Sequence, residues 1–309
     1  MAISTAKAQA VSNSLTQIMR NEIRNSAPLW PMIATRVNSE TETENYAWLN
    51  DVPGMQEFLG DRIFEELRAS TYSLTNKTWE QSVGLDRHKI DDDNYGFYSP
   101  VAQRVARKAA RHPDVLLVEL LNAAESTVCY DGQFFYDTDH VEGDSGTQSN
   151  DLTSTVVSTS AVTAAEFRTA FHAALIQMMG FKTDQGDYLI EPSPAGFTNG
   201  EFKVLVPLEL FEVAHEAMSI NLGSGGGDFH RLAIAEVIPL PRWSSTTKFD
   251  LVYTGDVLRP FIFQDRAALS FQTKDADDIE TKLIKVMTEA RYQVGFGLWQ
   301  YAVRTTFTT

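Results

Sequence analysis

Twelve consecutive residues, Cys129 to His140 (CYDGQFFYDTDH), hold the chain's only cysteine together with three aspartates and a histidine. A thiolate beside a histidine is a nucleophile, because the ring lowers the thiol pKa and takes up its proton. The intervening residues argue for architecture instead. Asp131-Gly132 is a turn signal, and Gln133 to Tyr136 reads as a short strand whose aromatics want burial. The expectation is a turn, a strand and a loop hinge, with a hydrolase built on Cys129 and His140 as the rival reading.

Other clusters offer less. Asp91, Asp92, Asp93 and Asn94 could hold a hard cation, but they lack the spaced ligands and closing glutamate of a calcium loop and read as a solvated turn. The run GSGGG, Gly223 to Gly227, resembles a phosphate cradle in composition only, since no Lys-Ser/Thr pair follows it. His88, His112, His140, His172, His215 and His230 include no pair at the i, i+4 spacing of a helical metal site, and one cysteine cannot make a thiolate zinc site of the usual spacing. Arg104, Arg107, Lys108 and Arg111 form a basic helix face expected to pair with acidic neighbours. The sequence therefore assigns no catalytic residue, no metal and no cofactor.

The elements that would position these groups are legible from periodicity and punctuation. Val11, Leu15, Ile18, Met19 and Ile23 recur at helical spacing and predict an amphipathic helix over 4–24, ended by Pro28 and Pro31. Residues 38–90 alternate apolar and polar and predict a long projecting hairpin. Ser99-Pro100 starts a helix that breaks at Pro113 before the apolar segment 114–126. The Ser/Thr/Gly/Asn-rich stretch 139–160 predicts a flexible loop and a domain boundary. Thr163 and Glu166 form a capping box for a helix ending at Gly180. Residues 202–207 predict a buried strand feeding a helix, with a strand over 231–238, and 257–309 predicts long antiparallel strands around an acidic turn. The fold class expected is α+β.

Composition removes further options. The chain has 309 residues, 43% hydrophobic and 11% aromatic, enough for a packed core. Its 26 Lys plus Arg against 41 Asp plus Glu give a net charge of −15, which opposes free nucleic-acid binding through clustered cations. No signal-peptide pattern and no run of 18 apolar residues is found, so a cytoplasmic start and no membrane span are expected.

Several uncommon strings in order resemble the major head subunit of Mu-like phages: WLNDVPGMQEFLGDR (48–62), YSLTNKTWEQSVGLDRHKIDDDNYGFYSP (72–100), CYDGQFFYDTDH, VLRPFIFQDR (257–266) and GFGLWQYAV (295–303). FKVLVPLELFEVAHEAM resembles that family's strand-Pro-helix step. The likeness is dense over 38–140 and at the C-terminus and thin over 141–256, and Val141 stands where the family often has proline. The resemblance implies the capsid fold named after phage Hong Kong 97. On this chain it implies an N-terminal arm at 1–37, an E-loop at 38–90, a P-domain with spine helix at 91–160 and 257–309, and an A-domain at 161–256. It further implies a major capsid protein forming hexamers and pentamers of an icosahedral head around double-stranded DNA, assembled in a bacterial cytoplasm with scaffolding/protease, portal and decoration proteins. Trp48, Phe58, Tyr72 and Trp79 would lie across an adjacent subunit. Gly223, Gly225, Gly226 and Gly227 would form an adaptable loop near the symmetry axes. An encapsulin-like nanocompartment shell and a tail or tube protein are the structural alternatives.

Overall fold

The computed structural model describes residues 5–49, 69–86, 98–190, 200–218, 235–274 and 283–309. Phe58, the Asp91–Asp93 cluster and Gly223, Gly225, Gly226 and Gly227 lie outside them. The first described elements are helix α1 (Thr5–Asn25) and the single turn α2 (Trp30–Ile33), which carries Pro31 at its start, where a donor-free residue is tolerated. Strand β1 (Ala34–Asn38) follows, then β2 (Thr43–Leu49), β3 (Ala69–Thr75) and β4 (Lys77–Asp86). Helices α3 (Tyr98–Ala110) and α4 (His112–Asn122) are consecutive and separate at Arg111, with Pro113 in the first turn of α4 where its missing N–H costs nothing.

Short strands β5 (His140–Val141), β6 (Thr147–Gln148) and β7 (Asp151–Thr155) precede α5 (Ala164–Met179). The Thr163–Glu166 capping box of α5 is formed in both directions. Strand β8 (Phe202–Val206) turns at Pro207 into α6 (Leu208–Met218). Then come β9 (Glu236–Pro239), β10 (Lys248–Tyr253), the long pair β11 (Phe261–Lys274) and β12 (Leu283–Phe296), a turn of 3-10 helix (Trp299–Tyr301) and β13 (Ala302–Thr308).

Two sheets carry the molecule. The first is ordered β7-β13-β10-β8-β9, with parallel pairs at its two edges and antiparallel pairs between. Every residue of β8 is buried, as a near-continuous apolar run covered on both faces should be. The second is ordered β1-β11-β12-β4, and β12 alternates buried and part-exposed positions, the mark of a sheet covered on one face. The covering elements include α1 and α3, through Leu15, Met19, Ala102, Val105 and Ala106 against Leu85, Ile284 and Val286. An Arg107–Glu22 ion pair of 2.6 Å tightens α3 on α1.

The structure departs from the sequence reading in three places. The stretch 139–160 is not a loose loop: it contributes β7 to the first sheet and buries His140, Gln148 and Asn150 completely or nearly so. Its polar side chains Gln148 and Asn150 satisfy backbone carbonyls of neighbouring segments, which holds the stretch in place. Among the described residues of 38–90, β2 and β3 pair as a hairpin, while β4 is zipped onto β12 as the fourth strand of the second sheet. Finally, the first sheet joins β8, β9 and β10 to β7 and β13, so the unit expected at 161–256 shares one sheet with 151–155 and 302–308.

Candidate functional site

The turn at Asp131-Gly132, with Gly132 at φ 91°, folds Cys129 back towards His140. Glycine tolerates that left-handed backbone without penalty. The Cys129 thiol donates to Asp131 Oδ1 at 2.9 Å, and Asp131 Oδ2 lies 2.5 Å from His140 Nδ1. His140 Nε2 faces Asn150 Oδ1 at 3.3 Å, and the ring stacks on Trp299 at 4.0 Å with an 8° interplanar angle. The Asn150 amide nitrogen donates to the carbonyls of Phe135, Trp299 and Ala302, which fixes which end of the amide faces the ring. Next to this chain, Glu142 accepts from Tyr130 (2.5 Å), Trp299 (2.9 Å) and Gln300 (3.2 Å).

Burial, then the Asp131 charge, pushes the Cys129 thiol far above its ordinary range. Burial also acts against the Asp131 carboxylate, but its bonds from His140 and Cys129 outweigh that and hold it below the usual value. Burial dominates at Glu142 and raises it. The sulfur is therefore a protonated donor to a carboxylate, with the histidine on that carboxylate's far side. This is not a nucleophile with its base, and the arrangement does the work of a hinge that ties 129–150 to 299–302. The aspartate, asparagine and tryptophan that complete it were missed from sequence; the Asp-Gly turn was the one readable signal.

A second buried network was also missed. Arg304, with a side chain 2% exposed, reaches Asp250 through two 2.8 Å bonds, the Leu121 carbonyl at 3.1 Å and Glu125 at 3.1 Å. Its guanidinium sits 4.1 Å from the Tyr136 ring centre and 5.4 Å from that of Trp243. Lys248 completes the cluster by binding Glu125 at 2.5 Å. The network joins α4, β10 and β13 at the middle of the molecule.

Of the four aromatic positions expected at a subunit boundary, Trp48 lies on β2 opposite Ser70 and Phe58 is outside the described residues. The other two are held by their own chain. Tyr72 accepts from the Phe296 N–H at 3.2 Å, and Trp79 donates to the Tyr292 carbonyl at 3.1 Å while packing 4.6 Å from the His112 ring. Among the described residues, exposed apolar side chains include Ile176 on α5, Leu208 and Phe211 on α6, and the loop residues Val157 and Val257. Exposed apolar residues on neighbouring elements mark contact surfaces when they lie together. Arg104, Arg107, Lys108 and Arg111 line a cavity of about 1010 Å³ between α3, α4 and the second sheet, with Leu269 and Tyr292 also on its wall. Among the described residues, no helix is long and apolar enough to cross a membrane.

Comparison with known proteins gives these arrangements a context. The family model of the Mu-like prophage major head subunit gpT matches residues 8–167 and 241–308. The chain is 44% identical over 111 residues to the Mu-like prophage FluMu major head subunit of Haemophilus influenzae, covering 36% of each protein. It is 36% identical over 140 residues to the major capsid protein of Escherichia phage Mu, covering 45% of this chain and 46% of that one. Each alignment thus spans less than half of the relative's length. In three dimensions it is similar to a chain of the procapsid of bacteriophage JBD30, with a TM-score of 0.60, 24% identity, and coverage of 99% of this chain and 77% of that chain. The fold is the α+β phage capsid fold of the Hong Kong 97 type.

Proposed function

This chain belongs to the family of Mu-like prophage major head subunits, a structural and not an enzymatic family, and we propose that it is the major capsid protein of such a phage or prophage. Its copies form hexamers and pentamers that close into an icosahedral head around double-stranded DNA. The observation that supports this most is the combination of a family match over most of the sequence with a capsid-type backbone over its whole described length.

The physics of such a shell suits this chain. The β2–β3 hairpin is rooted by the Tyr46–Gln264 bond of 2.7 Å and by buried Leu74, which gives the E-loop contact a fixed base. Tyr72 and Trp79 serve as anchors of that base, and Trp48 with Phe58 supplies burial across the boundary, about 25 cal/mol per Å² before association costs. Ile176, Phe211 and Leu208 add a second contact surface. Each contact is weak alone, and closure of the shell multiplies them. Gly223, Gly225, Gly226 and Gly227 let the axial loop differ between fivefold and sixfold environments, since glycine adopts both signs of φ. The charge of −15 keeps the wall from gripping phosphate, so DNA moves freely as it fills the head. Scaffolding/protease, portal and decoration proteins are the partners such a head requires, and the bacterial cytoplasm is where it assembles.

The test is to express the chain alone and with its neighbouring genes and to image the products by negative-stain electron microscopy. Closed shells with fivefold vertices, and DNA inside those made with the full gene set, are expected. Rods, a chain that stays monomeric at every concentration, or shells filled with an enzyme instead of DNA would each overturn the reading.

A further inference from the structure

We infer that Cys129, Asp131 and His140 form a binding site for a single divalent transition-metal ion, zinc by the chemistry of its donors. A sulfur, a carboxylate oxygen and a ring nitrogen from these residues all lie within 4.8 Å of one another, in a site where the His140 side chain is 0% and that of Asp131 4% exposed. That mixed donor set suits a borderline-soft ion that accepts thiolate, imidazole and carboxylate together.

The hydrogen-bond pattern singles out the ring nitrogen that faces the cluster. The Asn150 amide nitrogen is committed to three backbone carbonyls, so the atom it turns to His140 is its oxygen, at 3.3 Å from Nε2. An amide oxygen only accepts, so Nε2 carries the proton. Nδ1 is then the ring nitrogen turned towards Asp131 Oδ2, 2.5 Å away, and it is the donor that His140 offers to an ion shared with Asp131 and the Cys129 sulfur. Asn150 then plays the part of the outer partner that fixes the tautomer of a metal-bound histidine.

Loading spreads the three donor atoms from hydrogen-bond spacing to roughly 3 to 4 Å, as bonds of about 2.0–2.3 Å to one ion require. The balance is simple: one ion enters, and the thiol proton leaves with any proton held between His140 and Asp131. Three protein donors leave a fourth position for water. Because the site is sealed, the ion enters as the chain folds.

The full chain is produced in cells grown with cobalt in place of zinc, purified as subunits and as particles, and its metal content and absorption spectrum are measured. The expected result is close to one cobalt ion per chain and the thiolate-to-cobalt charge-transfer absorption in the near ultraviolet. Cys129→Ser and Cys129→Ala are expected to lose that absorption and to retain at most a small fraction of the metal; two variants are used so that one poorly folding protein does not decide the outcome. Wild-type metal content no higher than that of the variants, or cobalt bound without the thiolate absorption, overturns the proposal. Particle formation is scored separately, so failure of the metal site and failure of the shell reading are distinguishable.

Discussion

The two sheets of this molecule are built on opposite principles. In the first, β8 and β10 are buried almost end to end, and Arg304 and Asp250 lie neutralised between them and their neighbours. In the second, β12 shows one covered face and one that carries Lys285, Met287, Glu289, Arg291 and Gln293 outward. A sheet sealed on both faces draws its stability from its own chain, whereas a half-covered sheet with a hairpin and a helix attached offers surface that other copies can occupy. The difference separates a part of the subunit that its own chain covers from a part with a face left open.

The largest expected effect comes from breaking the sealed side. Arg304→Ala removes the bidentate partner of Asp250, which is 0% exposed, and leaves an uncompensated buried charge. Losing one partner of such a pair typically costs about 3–5 kcal/mol. Urea unfolding of the isolated subunit should show a large drop in midpoint with little change in slope. A drop under about 1 kcal/mol, of the size an exposed pair contributes, would mean that the network is not the keystone of the first sheet.

Met19→Ala probes the open side and sharpens the contrast. Met19 is fully buried in the cluster joining α1, α3 and the second sheet, so the intrinsic cost is about 2–5 kcal/mol. Helix α1 packs mainly on α3 and the second sheet and can release locally, so the global unfolding midpoint should move less than that while α1 amides lose hydrogen-exchange protection. Equal loss of protection in β8 and α1 would show that the two regions unfold as one unit and that the distinction is wrong.

What sequence revealed follows the same division. Local rules place α1 within one residue at each end, and they identify the capping box, the β8–Pro207–α6 step and the long C-terminal strands, because periodicity and punctuation act over a few residues. The polar networks were invisible, since Asp131 meets His140 only after a turn closes, and Asn150 and Trp299 arrive from other segments. The stretch 139–160 was misread because Ser, Thr and Asn look alike whether they face water or a buried carbonyl. Likewise, alternation in β4 reveals a strand but not its partner, and only register shows it paired to β12.

A smaller effect is expected where a local rule holds. Thr163 Oγ1 accepts from the Glu166 N–H at 3.3 Å, so Thr163→Ala removes the N-cap of α5 and should cost about 1 kcal/mol. Thr163→Ser keeps the acceptor and should recover most of it. If serine and alanine destabilise equally in thermal unfolding, the loss lies in packing of the methyl group and not in capping.

The smallest effect lies at the base of the hairpin, and it depends on pH. Glu44 Oε1 accepts from the N–H groups of Thr41 (2.9 Å) and Glu40 (2.8 Å) and from the Ser39 hydroxyl (2.9 Å). Those bonds, the one from Thr41 first, bring its pKa from an ordinary 4.5 down to about 2. A carboxyl whose folded value is depressed favours the folded turn fully above the unfolded value, and the benefit drains away as pH falls from about 4.5 to about 2. Hydrogen-exchange protection of the Glu40 and Thr41 amides, corrected for the intrinsic rate at each pH, should therefore decline over that window in the wild type. In Glu44→Gln it should start lower and stay flat. The global midpoint should hardly respond, because the turn is exposed and belongs to the open side. Protection that stays constant in the wild type down to pH 2 would remove Glu44 as the clasp at the hairpin base and leave Tyr46 and Leu74 to root it alone.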